Sequence, residues 1–490
     1  MPSNSEPIVQ QVRQEFESLL AYVTGPAAHS QTAYTVELTL FRRLLALGAA
    51  LLHLFFVSRA AQRPPEPVTT PTGSHLRYHD QRPITYFSVF GKLQFARHYF
   101  RAPGQAGCCP LDAELSLPER CYSDLLREWA AFAATDAAYR ESQTSLERIL
   151  GLSLSVQAIE TTVSEAAQDV TPFYDQPGPP AAPAALGSIL VVQADGKGVP
   201  MVQALPTAPA GRLGKGQKRS KKKEAVVTSC YTIAPYRRSP HDMVAALLHD
   251  PAPPHLPQRP LPIANEVHAT LDGKAVALRR LGQRVAQRDG AQIQDRVALT
   301  DGAEALQERL VAQFPEHTLV LDIIHATEYL WDVANALLGE THPERQAWVR
   351  PRLEQVLSGA TAAVIAELAA TAQDPALTAT QRKVVLKTGG YYQRNQPYMH
   401  YDAYLGRGWP IGTGVVEGAC GHLVKDRMEQ AGMRWTVEGA QAVLDLRAVR
   451  LNDDWDAYWA YHRQQQHQRL YGTAAPLPHP VEAQVLQLAA

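Results

Sequence analysis

What most constrains the fold of this chain is the order of its apolar runs beyond residue 187. SILVVQA (188–194), GVPMVQA (198–204) and EAVVTSCYTI (224–233) are three β-prone runs in series. A helical pattern then occupies about 265–288, followed by the strand DRVALT, the helix AEALQERLVAQF and the strand TLVLDII. Strands in series pair antiparallel through short links, whereas strands separated by helices cross over and pair parallel. The expected product is one mixed sheet of five strands with helices packed on it. From His325 to about His400 the periodicity is helical, so a helical insertion is expected between the last strand and the Gly-rich block around residue 412.

Before this core, residues 1–63 read as a helical module. Val12, Phe16, Leu19 and Leu20, and later Leu38, Phe41, Leu44, Leu45, Leu52 and Phe55, recur mostly at helical steps. The run LTLFRRLLALGAALLHLFFV has the apolarity of a membrane span, but Arg42, Arg43 and His53 interrupt it. It is read as a buried, amphipathic core helix, with no membrane partner. Residues 64–117 form a small strand element, in which Gly91 divides ITYFSVFGKLQFARHYFR into a hairpin. Residues 118–170 return to helix. There a helix ends at Gly151, Ser155 offers an N-cap, and Val156, Ile159 and Val163 continue an apolar face. This is helix-turn-helix patterning, with Gln157, Glu160, Thr161 and Thr162 expected on the exposed face of the second helix. A plain helical hairpin fits the same pattern. Residues 171–187, rich in Pro and Ala, read as a linker. The core is placed at 188–325 and 410–450 around an insertion at 326–409, with a C-terminal helix and tail at 451–490.

With 47 basic and 48 acidic residues the formal net charge is −1, so a nucleic-acid surface has to come from local clustering. GRLGKGQKRSKKKE supplies such a cluster: Arg212, Lys215, Lys218, Arg219, Lys221, Lys222 and Lys223 are placed in one loop between the second and third predicted strands. The loop is read as a phosphate contact of salt-dependent, sequence-independent affinity, the plain alternative being a solvated loop. The five cysteines have no regular spacing and no CxxC pair, which argues for a reducing compartment and against a disulfide scaffold or a zinc site.

Three acidic residues stand out. Asp195 and Asp301 are placed at the ends of the first and fourth of the core strands, and Glu417 near the start of a helix flanked by Gly412, Gly414, Gly418 and Gly421. Three strands in series and then alternating helix and strand is the chain order of a ribonuclease-H-like α/β core, in which the first strand lies parallel to the fourth. Acidic groups at matched heights on those strands sit about 5 Å apart and can share a divalent ion. With Glu417 they form an oxygen-only set suited to two Mg²⁺ or Mn²⁺ ions and to phosphoryl transfer. Asp322 ends the next strand and is placed about 10 Å from Asp195; it and His325 are read as supporting groups, or else as a capping Asp and a core His. Lys425, about two turns beyond Glu417, is expected on much the same face, as a contact to the DNA backbone. Arg427, Arg434 and Arg447 are paired provisionally with Asp426, Glu429 and Asp445.

The blocks PLDAELSLPER, ADGKGVPM, KKKEAVVTSCYTI, LTDGAEAL, VLDIIHATEYLW, WPIGTGVVEGACGHLVKDRMEQAGMRW and LDLRAVRLNDDWDAYW span residues from about 85 to 472. Together they resemble the DDE transposases of bacterial insertion sequences, most closely those of the Kra type. The resemblance implies cleavage at transposon ends and joining of the 3′ hydroxyl to target DNA, with Asp195, Asp301 and Glu417 matching the family's acidic triad. It further implies a cytoplasmic, nucleoid-associated bacterial protein acting on terminal repeats and target DNA as a homodimer or higher oligomer. VLDIIH is similar, more distantly, to the Cys-or-Asp, two residues, His signature of Mutator-like transposases, which places Asp322 and His325 at its ends. Relatives often carry a Cys-rich, zinc-ribbon-like element before PLD, of which this chain keeps only Cys108 and Cys109. A structure-selective nuclease on the same core and a domesticated DNA-binding protein are the alternative functions.

Overall fold

In a computed structural model the described residues are 6–63, 65–70, 73–176, 187–202, 222–251, 257–430 and 432–472. They fall into two compact units, Val170–Asp454 and a unit formed by Met1–Asp169 with Trp455–Ala490. In the latter, strands β1 (Val68–Thr69), β2 (His75–Ser88) and β3 (Gly91–Arg101) form an antiparallel sheet. Gly91, at φ 136°, makes the hairpin turn expected there. Helices Tyr139–Leu150 and Val156–Ala167 follow; Gly151 ends the first in a left-handed conformation, and the Ser155 side chain accepts the Ala158 N–H to start the second. Gln157 is exposed and Thr161 half-buried, but Thr162, expected on the outer face, is buried. The C-terminal helix Trp455–Tyr471 belongs to this unit: the Asp169 carboxylate accepts from His462 at 2.7 Å and from Arg469 at 2.7 Å.

The apolar helix Ala33–Gln62 departs from its expected burial. Phe56 is its one fully buried side chain, while Tyr34, Leu38, Phe41, Leu44, Leu51 and Phe55 are 38–73% exposed. An apolar pattern along a helix specifies which side wants cover, not whether this same chain supplies it.

The other unit is built on β4 (Ile189–Pro200), β5 (Lys222–Ile233), β6 (Ile263–Thr270), β7 (Asp295–Thr300) and β8 (Thr318–Leu321), in the order β6-β5-β4-β7-β8. β4 pairs antiparallel with β5 and parallel with β7; β5 pairs antiparallel with β6, and β7 parallel with β8. The result is a mixed five-stranded sheet with many helices, compatible with the expected ribonuclease-H-like core.

Two assignments change on the way to it. The run 188–194 and the first residues of 198–204 belong to one strand, Ile189–Pro200, which β5 pairs along its whole length from Ile189↔Ile233 to Pro200↔Lys222, while Gln203 and Ala204 lie outside the described residues. Asp195-Gly196 therefore lies within a strand, not at a strand-ending turn. The third strand is IANEVHAT, expected as the start of a helix; Ile263, Val267 and Leu271 recur every four residues and imitate helical spacing on what is an edge strand. The helix begins only at Lys274, after Gly273 at φ 91°.

That edge strand is tied to the Lys274–Arg288 helix by Glu266, which is ion-paired with Arg288 at 2.8 Å and Arg284 at 3.1 Å and hydrogen-bonded by His268 at 2.6 Å. Burial alone would raise this carboxyl, but the His268 bond and the two guanidinium charges outweigh it and hold it at about 2, below its ordinary 4.5. A depressed carboxyl stabilises the fold above its unfolded pKa, so this contribution, on the order of 3 kcal/mol, is lost as pH falls from 4.5 toward 2. Denaturant titrations at stepped pH should show that acid-sensitive slope in the native protein and a much shallower one in Glu266→Gln.

The two faces of the sheet divide by residue parity, since successive strand side chains alternate. Leu190, Val192 and Ala194 pack with Leu278, Leu281 and Val285 of the Lys274–Arg288 helix. Ile189 and Val191, with Val297 and Leu299 of β7, pack on the opposite face with helices Ile323–Leu338, Arg345–Leu357, Thr361–Ala372 and Ala379–Asn395. The helical insertion thus covers the face to which Gln193, Asp195 and Asp301 belong by parity.

Candidate active site

Asp195 and Asp301 both lie just beyond the last pair of one parallel ladder. Gln193 is paired with Leu299 at the end of the β4–β7 ladder; Asp195 lies two residues further along β4, and Asp301 two residues beyond Leu299, just past the end of β7. Asp301 follows the last residue of β7, and its Oδ1 accepts the Ala303 N–H at 2.9 Å ahead of the Glu304–Gln313 helix. The insertion fixes this turn: Tyr391 donates to the Asp301 carbonyl at 2.9 Å, and Arg394 to the Gly302 carbonyl at 2.9 Å. Gly302 has φ 90°, and a Cβ there would stand 2.7 Å from the Tyr391 hydroxyl, so glycine is required.

Glu417 is delivered to the same rim by a buried amide. Gln193, 0% exposed, donates to the Tyr231 hydroxyl at 3.1 Å and the Gly412 carbonyl at 3.4 Å, and accepts the Val416 N–H at 2.8 Å. It thereby clips the segment leading into the Gly414–Ala419 helix onto β4, two residues from Asp195. One turn beyond Glu417, the Cys420 thiol donates to Asp195 Oδ2 at 3.3 Å. Burial, with the Asp195 carboxylate beside it, pushes the Cys420 thiol well up, so it remains a protonated donor and not a thiolate ligand.

Asp322 and His325, read from the sequence as supporting groups or else as a capping Asp and a core His, lie beside Glu417. Thr413 Oγ1 lies 2.8 Å from Asp322 Oδ2 and 2.6 Å from Glu417 Oε1, its single proton serving one carboxylate at a time, and His325 Nδ1 lies 2.6 Å from Asp322 Oδ2 and 3.9 Å from Glu417 Oε1. Asp322, His325 and Glu417 each present one potential metal-ligand atom within 4.8 Å of the others. Asp322 also caps the Ile323–Leu338 helix through the Ile324 N–H and is fully buried, which leaves His325 and Glu417 as the more accessible members.

The hydrogen bond that His325 donates to the Asp322 carboxylate holds its imidazolium up to about 9, against the opposing effect of burial. A raised histidine contributes stability that is complete below its ordinary 6.5 and lost as pH rises through about 9. In metal-free protein, NMR titration of His325 should give a midpoint near 9, and Asp322→Asn should bring it down toward 6.5. A midpoint at or below 6.5 in the native protein would refute this account.

The helix carrying Glu417 is not uniform. From Cys420 to Lys425 it widens into a π-helical turn. Arg447, which is buried, donates to two carbonyls of this turn, that of Leu423 at 2.9 Å and that of His422, the kind of inserted side chain that accompanies a widened helix. Lys425, counted as two α-turns beyond Glu417, ends this π-helical turn and is exposed. Arg447 thus serves the backbone, and Arg427 is buried with its guanidinium 4.8 Å over the Trp435 ring. Of the basic cluster, Arg212, Lys215, Lys218, Arg219 and Lys221 lie outside the described residues. Lys222 and Lys223 begin strand β5, which lies between β6 and β4, and Lys222 pairs with Glu429.

No protein-family model matches the chain. Over 92 residues it is 32% identical to a curated protein described as "UPF0236 protein in vanSb 3′region" of Streptococcus gallolyticus, a stretch covering 19% of this chain and 20% of that protein. The chain is thus matched to about a fifth of the relative's length. Among solved structures, the Drosophila P element transposase strand transfer complex is similar over 74% of this chain and 86% of that one, at 9% identity and a TM-score of 0.23. That score is too low to bear on the fold.

Proposed function

We propose that this protein is a DDE-type transposase of the Kra kind, which cleaves DNA at the ends of an insertion sequence and joins the 3′ hydroxyls to target DNA. The observation that carries the reading is the parallel β4–β7 register, which leads toward Asp195 and Asp301, together with the Gln193 bond that anchors the Glu417 segment beside β4. Asp195, Asp301 and Glu417 are the proposed holders of two Mg²⁺ or Mn²⁺ ions, and their half-buried oxygens, beside a thiol kept protonated, fit hard cations. Such ions, when bound, activate a water or a 3′ hydroxyl and stabilise the leaving oxygen at phosphorus. Asp322 orients His325 and Thr413, and Thr413 in turn holds Glu417. The His325 imidazolium, positive through neutral pH, presents charge toward a phosphate oxygen brought to Glu417. The Val156–Ala167 helix with Gln157 and Thr161, the basic segment around Lys215, Lys218, Arg219, Lys221, Lys222 and Lys223, and Lys425 are the proposed DNA contacts. A cytoplasmic, nucleoid-associated location follows from the same reading.

The test is incubation of the purified protein with labelled DNA bearing the element's flanking inverted repeats and Mg²⁺ or Mn²⁺. Metal-dependent nicking with joined products is the expected outcome. Hydrolysis without joining would replace the transposase with a structure-selective nuclease, and binding without cleavage with a domesticated DNA-binding protein.

A further inference from the structure

The exposed side chains of Ala33–Gln62 follow a rule of their own. Tyr34, Leu38, Phe41, Leu44, Leu51 and Phe55 line one side of the helix, and Phe90, 41% exposed, lies over Gly48 in the gap between Leu44 and Leu51. Turned end for end about a point between Leu44 and Leu45, the ends of the stripe exchange, Tyr34 with Phe55 and Leu38 with Leu51, while Phe41 falls on Gly48 under its Phe90 cover and Leu44 on the half-buried Leu45. An isologous two-fold interface sets residue i of one copy against j of the other and j against i, and large apolar side chains stand at both members of the outer pairs.

A lipid bilayer is the other apolar environment of this size, since the helix is long and apolar enough to span one. Its contacts argue against that. Phe56 stacks on Phe95 of β3 at 4.2 Å between ring centroids, Arg59 pairs with Glu114 at 3.6 Å, and Arg42 donates to the Arg148 carbonyl at 3.0 Å. Spanning a membrane would strip these contacts and carry Arg42 and Arg43 into the hydrocarbon. The area suits a second copy: seven large side chains about half exposed amount to on the order of 600 Å² per chain, before their half-buried neighbours are counted, against about 800 Å² per partner in a standard interface.

We infer that this stripe is a dimer interface, in which two copies of the chain pair their Ala33–Gln62 helices antiparallel about an axis near Leu44. The inference is independent of the catalytic reading. Light scattering coupled to size exclusion should give twice the 53.8 kDa chain mass for the native protein. Leu44→Glu, at a position 53% exposed within the single chain, should weaken dimerisation by about 30-fold or more while leaving circular dichroism and melting unchanged.

Charge swapping tests the geometry itself. Leu38→Glu and Leu51→Lys should each dissociate the dimer, and the double variant should restore it, because each introduced carboxylate then faces the introduced ammonium of the other copy. Within one helix the two positions are about 20 Å apart and do not reach each other. A monomeric native protein, a dimer indifferent to Leu44→Glu, or flotation with phosphatidylcholine vesicles would each overturn the inference, as would failure of the double variant to restore what the single variants lose.

Discussion

Asp195→Asn, Asp301→Asn and Glu417→Gln should each lower the rate of metal-dependent DNA end cleavage by roughly 10³-fold or more, with DNA binding retained. Each change keeps the side chain's shape and removes an anionic oxygen from a site where stabilising a transferring phosphoryl group is worth several kcal/mol. The three positions are half-buried, so the folded state has little to lose. Asp301→Asn keeps an oxygen for the Ala303 N–H, and Glu417→Gln keeps one for Thr413. Asp322→Asn is the informative contrast. If Asp322 only orients Thr413 and His325, its loss should cost less than that of the three and should shift the pH profile as the imidazolium is lost earlier. Equal losses at Asp322 and Asp301 would move the proposed ion toward the Asp322, His325 and Glu417 group, whose ligand atoms already lie within 4.8 Å. Wild-type cleavage in any of the first three variants would refute the assignment.

Much of this was legible in the residues, and the exceptions share a cause. Local alternation and turn chemistry sufficed for the β2–β3 hairpin, the Gly151 and Ser155 caps and the chain order of the mixed sheet. Where a residue's role is set by something distant in sequence, the pattern misleads. Asp195-Gly196 has turn composition but is held in a strand by its long pairing with β5. Ile263, Val267 and Leu271 have helical spacing but lie at or beside a sheet edge, where alternation is weak. The link among Glu417, Thr413 and Asp322 joins residues 91 positions apart, and the widened turn of the Glu417 helix is bonded by Arg447 from the following helix. Gln193 did leave a trace: an amide in the apolar run SILVVQA, on the same face as Asp195, is costly unless bonded, and that cost points to a partner.

Gln193→Ala should therefore be the most damaging change outside the carboxylates, in stability and in rate together. The amide is fully buried and satisfies the Val416 N–H, the Gly412 carbonyl and the Tyr231 hydroxyl. Its removal strands buried polar groups and opens a cavity between β4 and the Gly-rich segment, for a loss of about 3 kcal/mol in urea denaturation. Water entering to bond the freed groups would let the segment slide along β4, and Glu417 would move with it. Displacement of a reacting group by about 1 Å costs roughly 10²-fold, so kcat should fall by that factor while KM for DNA, set by surfaces elsewhere, stays near its native value. Gln193 touches no substrate in this account, so it is a positioning residue. The split between kcat and KM separates that role from simple unfolding, which would lower the active fraction and disappear when rates are normalised to folded protein. A variant destabilised by about 3 kcal/mol yet fully active per folded molecule would show that the Glu417 segment holds its place without the clip.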